Sequence, residues 1–139
     1  MNIILNALDN STADFSPSEL SATRGFLKTI KAYELLLNLN LTYQNGIRVD
    51  VNDPNNLGPF VSYSEGLSAI RNIMEEAATD LAAGGDSFPF KFTTGFADFN
   101  TPSKFLQVNK GLSARVAAYQ MDYPAVLNFL EDSFMDVSG

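Results

Sequence analysis

The stretch Ser16-Pro17-Ser18-Glu19-Leu20-Ser21-Ala22-Thr23-Arg24-Gly25-Phe26-Leu27 carries a complete helix start. Ser16 can accept the orphan backbone donors of a first turn, Pro17 sits where its missing N–H does no harm, and Glu19 can reach back to the cap. From there Leu20, Phe26, Leu27, Ile30, Tyr33, Leu37 and Leu41 recur at helical spacing while Lys28, Lys31 and Glu34 face elsewhere, which predicts one long helix to about Tyr43. Gln44-Asn45-Gly46 is its predicted stop, because glycine accepts the left-handed backbone that closes a helix.

The same device returns at Ser62-Tyr63-Ser64-Glu65, followed by an apolar stripe of Leu67, Ile70, Met74, Ala77, Ala78 and Leu81 and closed by Gly84-Gly85. A third start is Thr101-Pro102, with Phe105, Val108, Leu112, Val116 and Tyr119 on one face. Asp122 caps a fourth helix with Val126, Leu127, Leu130 and Phe134 as its stripe. Upstream, Ile3, Ile4, Leu5, Ala7 and Leu8 read as the last turns of a further helix. The connections Ile47 to Val61 and Asp86 to Asn100 show no sustained alternation and predict no sheet, although Ile47-Arg48-Val49-Asp50-Val51 suits a short extended segment. The expected fold is therefore all-α: about four helices in antiparallel hairpins with two long loops, in one domain spanning 1–139.

Composition narrows the chemistry. With 139 residues and 45% hydrophobic content, the chain can build a core without disulfides or metals. It has neither cysteine nor histidine, which removes thiol nucleophiles, imidazole bases and Cys/His zinc sites, so no enzyme activity, cofactor or metal is expected. A formal net charge of -7 repels nucleic acid and anionic lipid surfaces. The longest strongly apolar run, Tyr33 to Leu41, is too short to cross a bilayer, and Met1 to Leu8 lacks the basic start and cleavage site of a secretory leader.

Two blocks resemble one family. Thr23-Arg24-Gly25-Phe26-Leu27-Lys28-Thr29-Ile30-Lys31-Ala32-Tyr33-Glu34-Leu35-Leu36 is similar to the first TPR-like helix of SusD/RagB proteins, with an aromatic and a basic residue ahead of an Ala-Tyr pair. Residues 109–127, containing Ala114-Arg115-Val116-Ala117-Ala118-Tyr119 and then Asp122-Tyr123, look like that family's later hairpin. Between them Glu76-Ala77-Ala78-Thr79-Asp80-Leu81 matches the end of an intervening helix, so the resemblance covers most of Leu20 to Phe134. It implies a TPR-like internal portion of a longer, lipid-anchored parent on the outer face of a Gram-negative outer membrane. That parent would capture oligosaccharides or other nutrients over a TonB-dependent SusC-type transporter. The resemblance places the family's ligand sites outside these residues, so no ligand-binding residue is assigned and weak or no binding is expected here. A stand-alone TPR-like module binding peptides between its helices is the alternative.

Several features invite sharper readings. The loop Phe88-Pro89-Phe90-Lys91-Phe92, with Phe96 and Phe99, could stack sugars, yet phenylalanine lacks a hydrogen-bonding handle and better suits a cover over the core. Glu75, Glu76 and Asp80 could pose as a glycosidase pair but fall on a solvated helix face. Asp50, Asn52, Asp53 and Asn55 resemble a calcium loop interrupted by Pro54, and serve as turn formers. The glycosylation sequons Asn10-Ser11-Thr12 and Asn40-Leu41-Thr42 are read as chance. Arg24 and Arg115 are each expected to pair with a carboxylate or a helix end.

Overall fold

A computed structural model describes residues 2–11, 14–53 and 55–136. Pro54, the third residue of the Asn10 sequon and the last three positions of the chain lie outside the described residues. The protein is all-α: α1 (Asn2–Asp9), α2 (Pro17–Thr42), α3 (Tyr63–Ala82), α4 (Pro102–Tyr119) and α5 (Tyr123–Glu131), with 3-10 turns at Tyr43–Asn45 and Thr94–Phe99. The one departure from the helical expectation is a two-stranded ladder, β1 (Ile47–Arg48) antiparallel to β2 (Phe60–Val61), pairing Ile47 with Val61. β1 opens the segment Ile47 to Val51 that suited an extended conformation, whereas the two residues of β2 are too few to show alternation.

The caps form as the sequence predicts. Ser16 Oγ accepts from Glu19 N at 3.3 Å while Glu19 Oε2 accepts from Ser16 N at 2.9 Å. Ser62 and Glu65 repeat this at 3.3 and 2.8 Å. In both boxes hydrogen bonds from the serine hold the glutamate carboxyl below its ordinary pKa. Thr101 caps α4 and Asp122 caps α5.

The face that α2 buries differs from the expected stripe. Its fully enclosed line is Ala22, Gly25, Thr29, Ala32, Leu36 and Leu39, stepping by three and four residues. Of the expected stripe Leu27 is buried, Phe26, Ile30 and Tyr33 only flank the enclosed line, and Leu37 and Leu41 lie on the surface. Hydrophobicity reads size, whereas close helix packing selects smallness. At Gly25 an added Cβ would stand 2.6 Å from Leu81 Cγ and 2.9 Å from the Ala77 carbonyl oxygen, so the two backbones nearly touch. At Gly84 it would meet Ala22 Cβ and Pro102 Cβ, both at 2.9 Å, where α2, the end of α3 and the start of α4 converge.

These contacts make α2 and α3 antiparallel, with Gly25 against Leu81 at one end and Leu39 against Gly66 at the other. α4 runs antiparallel to α3, and α5 folds back on α4. The α3 stripe of Leu67, Ile70, Met74, Ala77 and Leu81 is buried as expected; Ala78 is only half-buried. On α4 the buried line is Phe105, Asn109, Ser113, Val116 and Ala117, so two polar residues occupy core positions while the expected Tyr119 is exposed. Asn109 Nδ2 donates to Thr29 Oγ1 at 3.0 Å and to the Met74 carbonyl at 3.2 Å, tying α2, α3 and α4 together at their centre.

The aromatic loop covers one end of this bundle. Phe26, on α2, lies 5.2 Å from Phe92 and 5.0 Å from Phe105, and Phe88 lies 4.9 Å from Phe92. Burial of each such ring contributes roughly 1.5–3 kcal/mol. On α5, Val126 and Leu130 are half-buried as the stripe requires, but Leu127 is exposed. Phe134 lies beyond the helix and packs edge-on to Phe99 at 5.3 Å.

Candidate functional site

At the end opposite the phenylalanines the bundle opens into a groove of about 1260 Å³. One wall is the last turns of α2, where Leu37, Asn40 and Leu41 are followed by Tyr43. The first turns of α3 supply Tyr63, Ser64, Leu67 and Ser68, with Leu67, only 2% exposed, as the floor. The end of α4 supplies Arg115 and Tyr119, and the corner after it Gln120 and Met121.

Beneath the groove α2 and α3 stay packed: Leu36 and Leu39 are fully buried, and a Cβ on Gly66 would stand 3.0 Å from a Leu39 methyl, so the groove lies outside this core, where Leu37 and Leu41 are exposed. Tyr43 and Tyr63 lean edge to face with ring centroids 5.0 Å apart. Burial first, and then the neighbouring Tyr119 and Tyr43, push the Tyr63 hydroxyl above its ordinary pKa.

The corner that forms the far rim is pinned from α3. Arg71 Nη1 donates to Asp122 Oδ2 at 2.8 Å and to Gln120 Oε1 at 3.2 Å, and Nε to Glu75 Oε1 at 3.3 Å. The Arg71 bond holds the Asp122 carboxyl below its usual range, helped by the Ala125 N–H that it caps. The α4 terminus closes with Asp122 N bonded to the Ala117 carbonyl and Met121 N to that of Ala118, the six-to-one and five-to-two pair of a Schellman ending. Glycine usually takes the left-handed position of that ending, but here Met121 does, at φ 59°. Tyr43, closing α2, also has positive φ, 46°. Both of the non-glycine residues with left-handed φ among the described residues thus line the groove, and such backbone costs of order 1–3 kcal/mol each.

The other sequence candidates go elsewhere. Glu76 and Asp80 both grip Lys28, at 3.0 and 2.9 Å, so these carboxylates clamp α3 to α2. Burial draws the Lys28 ammonium down, but hydrogen bonds to Asp80 and Glu76 outweigh it and the net shift is upward. Asp50 and Asp53 turn inward on their own loop, accepting from Asn52 N at 3.3 Å and Asn55 N at 2.9 Å. Arg24 pairs with Asp9 at 2.7 Å, as expected.

Arg115 corrects its expectation. Its Nη2 donates to Tyr119 Oη at 3.2 Å and its guanidinium carbon stands 5.7 Å from the centre of that ring, with no carboxylate among the described residues in ion-pair reach. Sequence reading did not assemble the groove, since its walls come from segments 37–43, 63–68 and 115–121 and only the three-dimensional packing joins them.

Compared with protein families, curated proteins and solved structures, the chain shows no match.

Proposed function

We propose that this chain is the helical scaffold of a SusD/RagB-type nutrient-binding protein, working with a TonB-dependent SusC-type transporter on the surface of the outer membrane. One observation supports the reading: the two blocks that carry the resemblance, 23–36 and 109–127, fold as α2 and as the α4–α5 hairpin and are tied to each other through α3 by Asn109 and Arg71. In this reading the scaffold performs no chemistry. It gives rigid helical faces on which the parent protein seats its nutrient and meets the transporter, and its lipid anchor belongs to that parent.

The test is made on the intact gene in its native host. An epitope-tagged full-length protein is solubilised in detergent and purified; recovery of a TonB-dependent barrel, together with tag digestion by protease added to whole cells, is the expected result. A protein found in the soluble fraction with no barrel overturns the reading in favour of a stand-alone TPR-like interaction module. The open groove between three helices is what keeps that second reading in play.

A further inference from the structure

The groove differs from the rest of the surface in its charge. Sixteen acidic residues against nine basic ones make the protein strongly anionic, and Arg24, Lys28, Arg71 and Lys110 each hold a carboxylate. Lys31, Arg48, Lys91, Lys104 and Arg115 make no ion pair among the described residues, and of these Arg115 is the one ionised side chain lining the groove. A cation without an ion pair, above the buried apolar Leu67, is a short-range complement for an anion, although the net charge of -7 opposes the approach of one from a distance.

The remaining lining restricts what that anion belongs to. Leu41 is 87% exposed and Met121 73%, and with Leu67 beneath and the rings of Tyr43, Tyr63 and Tyr119 beside them they offer a lining that suits large apolar side chains. The Asn40 side chain makes no hydrogen bond among the described residues, and an amide has both the donor and the acceptor that an extended peptide unit requires. The groove's volume of about 1260 Å³ exceeds the roughly 300–1,000 Å³ of ordinary small-molecule pockets.

We propose that the groove binds a short acidic peptide segment, with a carboxylate on Arg115, large apolar side chains between Tyr63, Leu41 and Met121, and a backbone unit on Asn40. The guanidinium is held by its bond to Tyr119 Oη, so it meets the carboxylate preorganised. Left-handed backbone at Tyr43 and Met121 fixes both rims around the segment. The assignment stands on the groove alone and holds whether or not the chain belongs to a surface uptake assembly.

The probe is a phage-displayed library of random linear peptides, selected on the immobilised 139-residue chain. Enrichment of sequences in which Asp or Glu adjoins Leu, Phe or Tyr is expected. Synthetic versions of the enriched peptides should bind Arg115→Gln about ten- to a hundredfold more weakly. Arg115→Lys should recover part of that loss, and affinity should fall with added salt. Leu41→Ser, at an exposed position, should weaken binding with circular dichroism unchanged. No enrichment, enrichment without acidic residues, or binding indifferent to both Arg115→Gln and Leu41→Ser overturns the proposal. Binding of oligogalacturonate that Arg115→Gln abolishes, with no peptide enriched, overturns it in favour of acidic sugars.

Discussion

The two ends of the α2–α3 pair are built on opposite rules. At the closed end Ala22, Gly25 and Gly84 let backbones approach until no methyl group fits, and Phe26, Phe88, Phe92 and Phe105 seal the outside. At the open end Leu36, Leu39 and Leu67 pack into a larger buried cluster, and Tyr43, Tyr63 and Tyr119 line the groove outside it. Rings occur at both ends, but the closed end uses phenylalanine and the open end tyrosine. A hydroxyl would be orphaned in the first environment and can reach water or a ligand in the second. Both ends therefore bury core, and the open end in addition leaves aromatic and aliphatic surface available.

Gly25→Leu should break this contrast most severely. The new side chain has no room between α2 and the Ala77–Leu81 turn, so the helices must part and the aromatic seal with them; urea unfolding should show a loss of at least about 3 kcal/mol or no folded state. Even Gly25→Ala should destabilise, by about 1–3 kcal/mol, despite alanine's better helix propensity. A stable Gly25→Ala protein would mean that the seam is looser than described.

Asn109→Asp attacks the centre between the two ends. An ionised carboxylate there could donate to neither Thr29 nor Met74, whereas the neutral acid keeps one O–H donor, so burial favours the neutral form and the folded pKa rises above the unfolded value of about 3.9. The sign follows: the variant is least impaired below that unfolded value and loses stability as pH rises through its folded pKa. Denaturant titrations at pH 4 and pH 8 should differ by several kcal/mol. A pH-independent variant would place Asn109 in contact with water.

Glu19→Gln with Glu65→Gln tests the caps with a smaller effect of opposite sign. In the native protein both carboxyls, like Asp122, have pKa values below their ordinary ones, so their contribution is present above about pH 4.5 and is lost as pH falls through the lower folded values. The double variant should flatten the acid limb of Tm against pH while leaving the neutral plateau slightly lower. Leu41→Ser at the open end should change stability least, within about 0.5 kcal/mol, since its side chain contacts mainly solvent. A large loss there would show that the groove is part of the core.

What the sequence disclosed and what it hid divides along the same contrast. Ser16 with Glu19, Ser62 with Glu65, Thr101 with Pro102 and the Asp122 cap are local, each signal lying within four residues, and the starts of α2 to α5 were legible from them. The phenylalanine loop was readable as a cover because phenylalanine has little else to do. The seam was not, because Ala22, Gly25, Thr29 and Ala32 carry no hydrophobic signal and matter through what they lack. Neither Asn109 nor the Arg71–Asp122 tie could be seen, since their partners sit tens of residues away in the chain. The groove shares that distance, whereas the partner of Arg115, Tyr119, lies only four residues on and was within local reach.

The paired capping boxes have a consequence for the order of events in folding. Each is complete within four residues, so both helix starts are specified before any distant contact exists, and loop closure between α2 and α3 then joins two segments already turning. Pulse-labelled hydrogen exchange should find amides of α2 and α3 protected in the earliest resolved phase. Those of α4 beside Phe105 should follow only when the aromatic loop, whose rings come from residues 26 to 105, has collapsed onto them.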